Sequence, residues 1–176
     1  MHPLSRIALA SLAALFTPLI AAPALAARPV LHVKESIVIA APPAQVWAAA
    51  GDFGNLGWHP AVASTTVDQG ENNRPGAVRT VTTKDGAKLV ERLVARDDAA
   101  RRLSYTIIDS PLPVSDYRST LRVLPDPSGS RVEWSSSFRR KSEKPLDGAD
   151  DAGAQRVIRS IYTSGLGNLK ATLEAH

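Results

Sequence analysis

The apolar residues of this chain change their period once, and that change narrows the folds open to it more than any single motif. From Ala61 to about Arg140 they alternate with polar residues, as along strands that have one wet face. Turn-forming residues break this run at Gly70 to Gly76, Lys84-Asp85-Gly86, Asp97 to Ala100, Ser110 to Pro113 and Pro125 to Gly129, which leaves six strands in a meander. Tyr117, Ser119, Leu121 and Val123 share an inward face, and so do Val132, Trp134, Ser136 and Phe138 on the next strand. From Asp150 to Ala175 the spacing becomes helical, with Ile158, Tyr162, Leu166, Leu169 and Leu173 recurring every three or four residues. Asp147, Asp150 and Asp151 stand at its start, where carboxylates favour a helix N-terminus.

Upstream of the meander, Leu31, Val33, Ile37 and Ile39 alternate as a first strand, and Pro43 opens a short helix over Ala44 to Ala50 that Gly51 closes. The tight aromatic loop Asp52 to Pro60 follows, and this region is expected to hold a short helix pair. The order is then β-α-α-β6-α. Such a set buries its apolar faces only if a seven-stranded, curved antiparallel sheet wraps the long C-terminal helix, an α+β architecture. Gly165 and Gly167 sit inside that helix at a cost of about 1 kcal/mol each relative to Ala. They imply either room for a ligand or close packing on the sheet.

The N-terminus reads as a targeting segment. Met1 to Arg6 is a short positive lead, Ile7 to Ile20 is an apolar run, and Ala24-Leu25-Ala26 offers the small residues of a cleavage site before Ala27. Pro18 and Pro23 end the run too early for a comfortable membrane span. Residues 1–26 are therefore expected to be a signal peptide and 27–176 one exported domain, in the periplasm if the source is Gram-negative, with no membrane span after cleavage. The absence of cysteine from the 176 residues excludes disulfides and thiolate chemistry. The formal charge of +4 is small and scattered, which argues against nucleic acid. His32, His59 and His176 lie in separate elements, so no metal site is expected, and no phosphate-cradling glycine loop or G-x-S-x-G elbow points to a cofactor or a serine hydrolase.

The opening Ser36-Ile37-Val38-Ile39-Ala40-Ala41-Pro42-Pro43-Ala44-Gln45-Val46-Trp47, followed by Gly51-Asp52-Phe53 and Trp58-His59-Pro60, resembles the SRPBCC or START-like helix-grip superfamily, in its polyketide cyclase/dehydrase-like bacterial branch. That superfamily also takes in the birch-allergen proteins, the START domains and the abscisic-acid receptors. The likeness spans roughly residues 33 to 174. It implies a cavity between sheet and long helix that holds a hydrophobic small molecule or lipid. Position by position, Glu91-Arg92-Leu93 matches a pocket-lining strand of the receptors, Tyr105 with Ile107 the next, Ser110 to Val114 the latch loop, and Tyr117 with Ser119 its far side. Two departures stand out: Lys84-Asp85-Gly86 replaces the receptors' gate loop, and Ala63 replaces the lysine that pairs with a hormone carboxylate. A carboxylate hormone is thus not the expected ligand. Exported members of the branch include an accessory protein of methanol dehydrogenase systems, which implies as an alternative partner a periplasmic dehydrogenase or its electron acceptor.

The candidate ligand-binding set is Phe53, Trp58, His59, Arg79, Val81, Glu91, Leu93, Tyr105, Ile107, Leu112, Val114, Tyr117, Ser119, Ser136, Ile158, Tyr162 and Leu166. Glu91 shares a strand face with Leu89 and Leu93, and a carboxylate among apolar residues is prepared for proton transfer or for a structural ion pair with Arg79. His59 is a base at the cavity mouth or a packing residue of its turn. Pro111 and Pro113 limit the shapes of the loop that carries Leu112, which makes it a preorganised lid or a plain core cap. Three functions follow: a non-catalytic binder of a hydrophobic molecule, an accessory to a redox enzyme, or a cyclase- or dehydratase-like enzyme using Glu91, His59 or Tyr117.

Overall fold

A computed structural model describes residues 28–143 and 150–175. The leader and the cleavage point expected in residues 1–26, as well as Asp147 and His176, lie outside the described residues. The elements run β1 (Leu31–Ile39), α1 (Pro43–Ala50), β2 (Val62–Gln69), β3 (Val78–Thr83), β4 (Lys88–Asp97), β5 (Arg102–Asp109), β6 (Val114–Asp126), β7 (Gly129–Arg140) and α2 (Asp151–Glu174). The six meander strands fall between the turns that the sequence marks. One detail differs from expectation. Only the first of the two short helices forms, because Gly51, Gly54, Gly57 and Pro60 break the segment after it into successive turns.

All seven strands form one antiparallel sheet in the order β1-β7-β6-β5-β4-β3-β2, so the first strand closes against the last. β6 and β7 alternate buried residues with half-buried or exposed ones along most of their length. Trp134, opposite Leu121 on β6, is therefore held on the inner face. Gly129 starts β7 at φ +132°, and a Cβ there would lie 2.4 Å from the Ile39 carbonyl oxygen. Only glycine lets the hairpin pass so close to the end of β1.

α2 begins at Asp150, whose carboxylate accepts the Gly153 N–H at 2.6 Å, and Arg140 ties Asp151 to the end of β7 at 2.6 Å. Its buried stripe of Ala154, Ile158, Tyr162, Leu166 and Leu169 faces the sheet. The Tyr162 ring stacks on Trp134 with centroids 4.3 Å apart, which places the helix over the middle of the sheet. No helix among the described residues is long and apolar enough to cross a membrane.

Candidate functional site

Between α2 and the β3–β6 part of the sheet lies a mostly apolar cavity of about 260 Å³. Nine of the residues expected from sequence line it: His59, Val81, Glu91, Tyr105, Ile107, Leu112, Tyr117, Ile158 and Tyr162. They come from the turn segment after α1, from β3, β4, β5 and β6, from the β5–β6 loop and from α2. The remaining eight lie outside this lining. Trp58 and Arg79 border a small crevice beneath the turn segment, with Phe53 packed on Arg79. Leu93 and Leu166 are closed into the core, Val114 faces an outer groove between β5 and β6, and Ser119 and Ser136 are buried on the sheet's inner face.

The lining also includes Leu56, Ala61, Val62, Thr83, Asp85, Ala87, Leu89, Pro111, Pro113, Trp134 and Ile161, which lie outside the candidate ligand-binding set. Leu89 was within reach, since it alternates in phase with Glu91. Asp85 and Ala87 arrive through the tight β3–β4 turn, where Asp85 accepts a short hydrogen bond from Thr83 Oγ1 and one from the Ala87 N–H. That turn and the Pro111-Leu112-Pro113 segment thus both contribute to the cavity wall.

Arg79 and Glu91 face each other across the β3–β4 register and are 3% and 4% exposed. The Arg79 Nε and one terminal nitrogen both donate to Glu91 Oε2, at 2.7 and 2.6 Å, and the other terminal nitrogen donates to the Phe53 carbonyl at 2.5 Å. The guanidinium also stacks 4.3 Å from the Phe53 ring centroid. The pair therefore pins the turn segment to the sheet while keeping both buried charges compensated.

His59 is engaged on both ring nitrogens. Nε2 donates to the Ile161 carbonyl at 2.9 Å and Nδ1 accepts the Ala61 N–H at 3.2 Å, which fixes a neutral tautomer. Burial pushes its pKa below the ordinary value, against the opposing pull of the Ile161 carbonyl. Gly165 explains how the ring reaches the helix backbone, because a Cβ there would sit 2.5 Å from His59 Cδ2. Asn168 adds a second tether by donating to the Trp58 carbonyl at 2.9 Å. Of the two possibilities for the helix glycines, close packing holds at Gly165, whereas at Gly167 a Cβ would meet nothing within 4 Å.

A chain of hydrogen bonds runs beneath the cavity. Tyr117 and Tyr162 hydroxyls meet at 2.5 Å, Tyr162 meets Ser119 Oγ at 3.0 Å, and Ser119 donates to the Ser135 carbonyl at 3.0 Å. Trp134 Nε1 donates to both Ser119 Oγ at 3.0 Å and the Tyr105 hydroxyl at 3.2 Å. Burial raises all three phenols, Tyr162 to about 12 and Tyr105 and Tyr117 well above their usual range, so they stay protonated near neutral pH.

This architecture is shared by known proteins. Residues 30–174 match the family described as polyketide cyclase/dehydrase and lipid transport. The chain belongs to that family. The MLP-like protein 423 of Arabidopsis thaliana is 30% identical over 124 residues, covering 65% of this chain and 79% of that protein. The solved structure of XoxI from Bacillus cereus is 32% identical with a TM-score of 0.72, covering 81% of this chain and 94% of that one. Ara h 8.0201, at 21% identity and a TM-score of 0.66 over 84% of this chain and 100% of its own, shares the helix-grip fold. The family relationship makes this a helix-grip, ligand-binding type of protein.

Proposed function

We propose that the protein is exported, is cut before Ala27, and holds a hydrophobic small molecule or lipid without transforming it. The observation that carries this reading is the cavity itself, whose lining is dominated by Leu, Ile, Val, Ala, Pro and aromatic side chains and is drawn from both faces of the grip. The state of the groups that catalysis would need supports holding over turnover. Glu91 is bound to Arg79, both His59 nitrogens are occupied, and Tyr117 is bonded to Tyr162 and kept protonated by burial. The leader of residues 1–26 supports export, with the periplasm as the compartment for a Gram-negative source.

Native mass spectrometry of protein purified from its own host tests this. The expected result is a mass that begins at Ala27, accompanied by a released organic molecule of low polarity. An empty protein that co-purifies with a periplasmic dehydrogenase would replace the carrier reading with the accessory one, and an intact Met1 would remove export.

A further inference from the structure

We propose that the cavity contains a two-point polar anchor, the Tyr105 hydroxyl and Glu91 Oε1, built to grip the hydroxyl of an uncharged ligand such as an alcohol or phenol. This rests on the ligand-holding reading and names the polar end of what is held.

The argument is a count of protons. The Ser135 carbonyl can only accept, so Ser119 spends its own proton there. The two lone pairs of Ser119 Oγ then take the Trp134 N–H and the Tyr162 O–H. With the Tyr162 proton spent on Ser119, its oxygen accepts from Tyr117, whose proton is spent in turn. Tyr105 receives a share of the Trp134 N–H, and its other polar neighbour, Ser119, already has both lone pairs filled by Trp134 and Tyr162, so the Tyr105 proton is left to point at the cavity. Of the hydroxyls joined in this network, Tyr105 is the one left with a donor to offer, and it lines the cavity.

Glu91 is its complement. Both Arg79 nitrogens that reach the carboxylate land on Oε2, and among the described residues Oε1 accepts no hydrogen bond. Oε1 is also absent from the fully occluded polar atoms that lack a partner, while the Glu91 side chain keeps 6% of its surface and lines the cavity. Tyr105 pairs with Leu93 and Glu91 with Ile107 on neighbouring strands, so donor and acceptor are diagonal neighbours on one face. No hydrogen bond joins the two groups in the structure.

One free donor beside one free acceptor is matched by a group that both accepts and donates once, which is a hydroxyl. A carboxylate would use Tyr105 but face Glu91, with Asp85 also in the lining and no Lys or Arg among the lining residues. An ammonium would use Glu91 but press its charge against the Tyr105 O–H, and Glu91 is already neutralised by Arg79. The walls around the anchor are apolar, which leaves a neutral head on an apolar body as the ligand class.

The test is a titration of the mature protein at neutral pH with decanol, decanoate and decylammonium, followed by calorimetry and by Trp fluorescence. Decanol is expected to bind at least about tenfold tighter than either ion, since a buried unmatched polar group is costly. Tyr105→Phe should remove most of that preference while leaving thermal stability near the parent's, because Trp134 keeps Ser119 as its acceptor. Glu91→Gln, if it folds, should weaken decanol less than Tyr105→Phe does. Decanoate binding as tightly as decanol, or a preference for decanol that survives Tyr105→Phe, would overturn the anchor while leaving the carrier reading in place. Failure of all three molecules to bind would overturn both.

Discussion

Replacing Gly165 by Ala separates packing from helix propensity in one step. A Cβ at this position would lie 2.5 Å from His59 Cδ2 and 3.1 Å from both His59 Nε2 and Trp134 Cζ3. The helix backbone cannot retreat without lifting Tyr162 and Leu166 from the sheet, so the imidazole has to move. It would then lose the 2.9 Å bond to the Ile161 carbonyl and the 3.2 Å bond from the Ala61 N–H. These are worth about 1 kcal/mol each, and crowding of Trp134 adds about 1–3 kcal/mol. The helix regains about 1 kcal/mol from exchanging Gly for Ala. The net expectation is a loss of about 2–4 kcal/mol, or a fall in Tm of about 4–16 °C for a domain of this size. Gly167→Ala supplies the control, because its Cβ would meet nothing within 4 Å. It should gain up to about 1 kcal/mol by the propensity effect alone. Thermal and urea unfolding of the two variants measure the contrast, and a Gly165→Ala protein as stable as Gly167→Ala would refute the claim that His59 is clamped on the helix.

Three further outcomes are expected. Because burial lowers the His59 pKa below 6.5, the unfolded chain binds a proton that the folded one resists. Stability should therefore fall as pH drops below about 6.5, and His59→Phe should flatten that slope between pH 6.5 and 5 in urea unfolding; an unchanged slope contradicts the neutral tautomer. Glu91→Leu strands a buried guanidinium and should cost about 3–5 kcal/mol, whereas Arg79→Met added to it should recover most of the loss, and additive losses would show that the two side chains do not act as a pair. Leu112→Ser should weaken decanol binding several-fold while changing Tm by no more than about 2 °C if the proline-flanked segment is a lid; a loss of more than about 1 kcal/mol with binding intact would make Leu112 a core cap instead.

The sheet and the long helix were legible because their information is periodic. The alternation of Tyr117, Ser119, Leu121 and Val123, and the spacing of Ile158, Tyr162, Leu166 and Leu169, each assign a face directly, and all eight residues are buried. Periodicity assigns a face but not a position along the strand. Leu93 and Glu91 share a face, yet Leu93 is sealed into the core while Glu91 borders the cavity. The difference depends on where α1 and the turn segment cover the sheet, which is a long-range matter. Ala87 and Leu56 escaped notice for the same reason, and Asp85 was marked only as part of a turn, since turns carry local signals for their own geometry and none for what they face. The absent second short helix reflects competition between weak helical propensity and four strong breakers in ten residues, Gly51, Gly54, Gly57 and Pro60. The Arg79–Glu91 pair was visible as a possibility. Its use of a single carboxylate oxygen, on which the anchor depends, follows from three-dimensional geometry alone.

The central claim is that the space beneath α2 is occupied in use, and a two-dimensional ¹H–¹⁵N NMR titration of the mature protein with decanol tests it most directly. Saturable shifts are expected together at Val81, Ile107, Leu112 and Ile158, which reach the cavity from β3, β5, the β5–β6 loop and α2. Amides of outward-facing residues such as Arg92, Arg118 and Arg131 should stay in place. Shifts confined to such surface positions, or none at saturating decanol, would contradict a ligand-holding cavity.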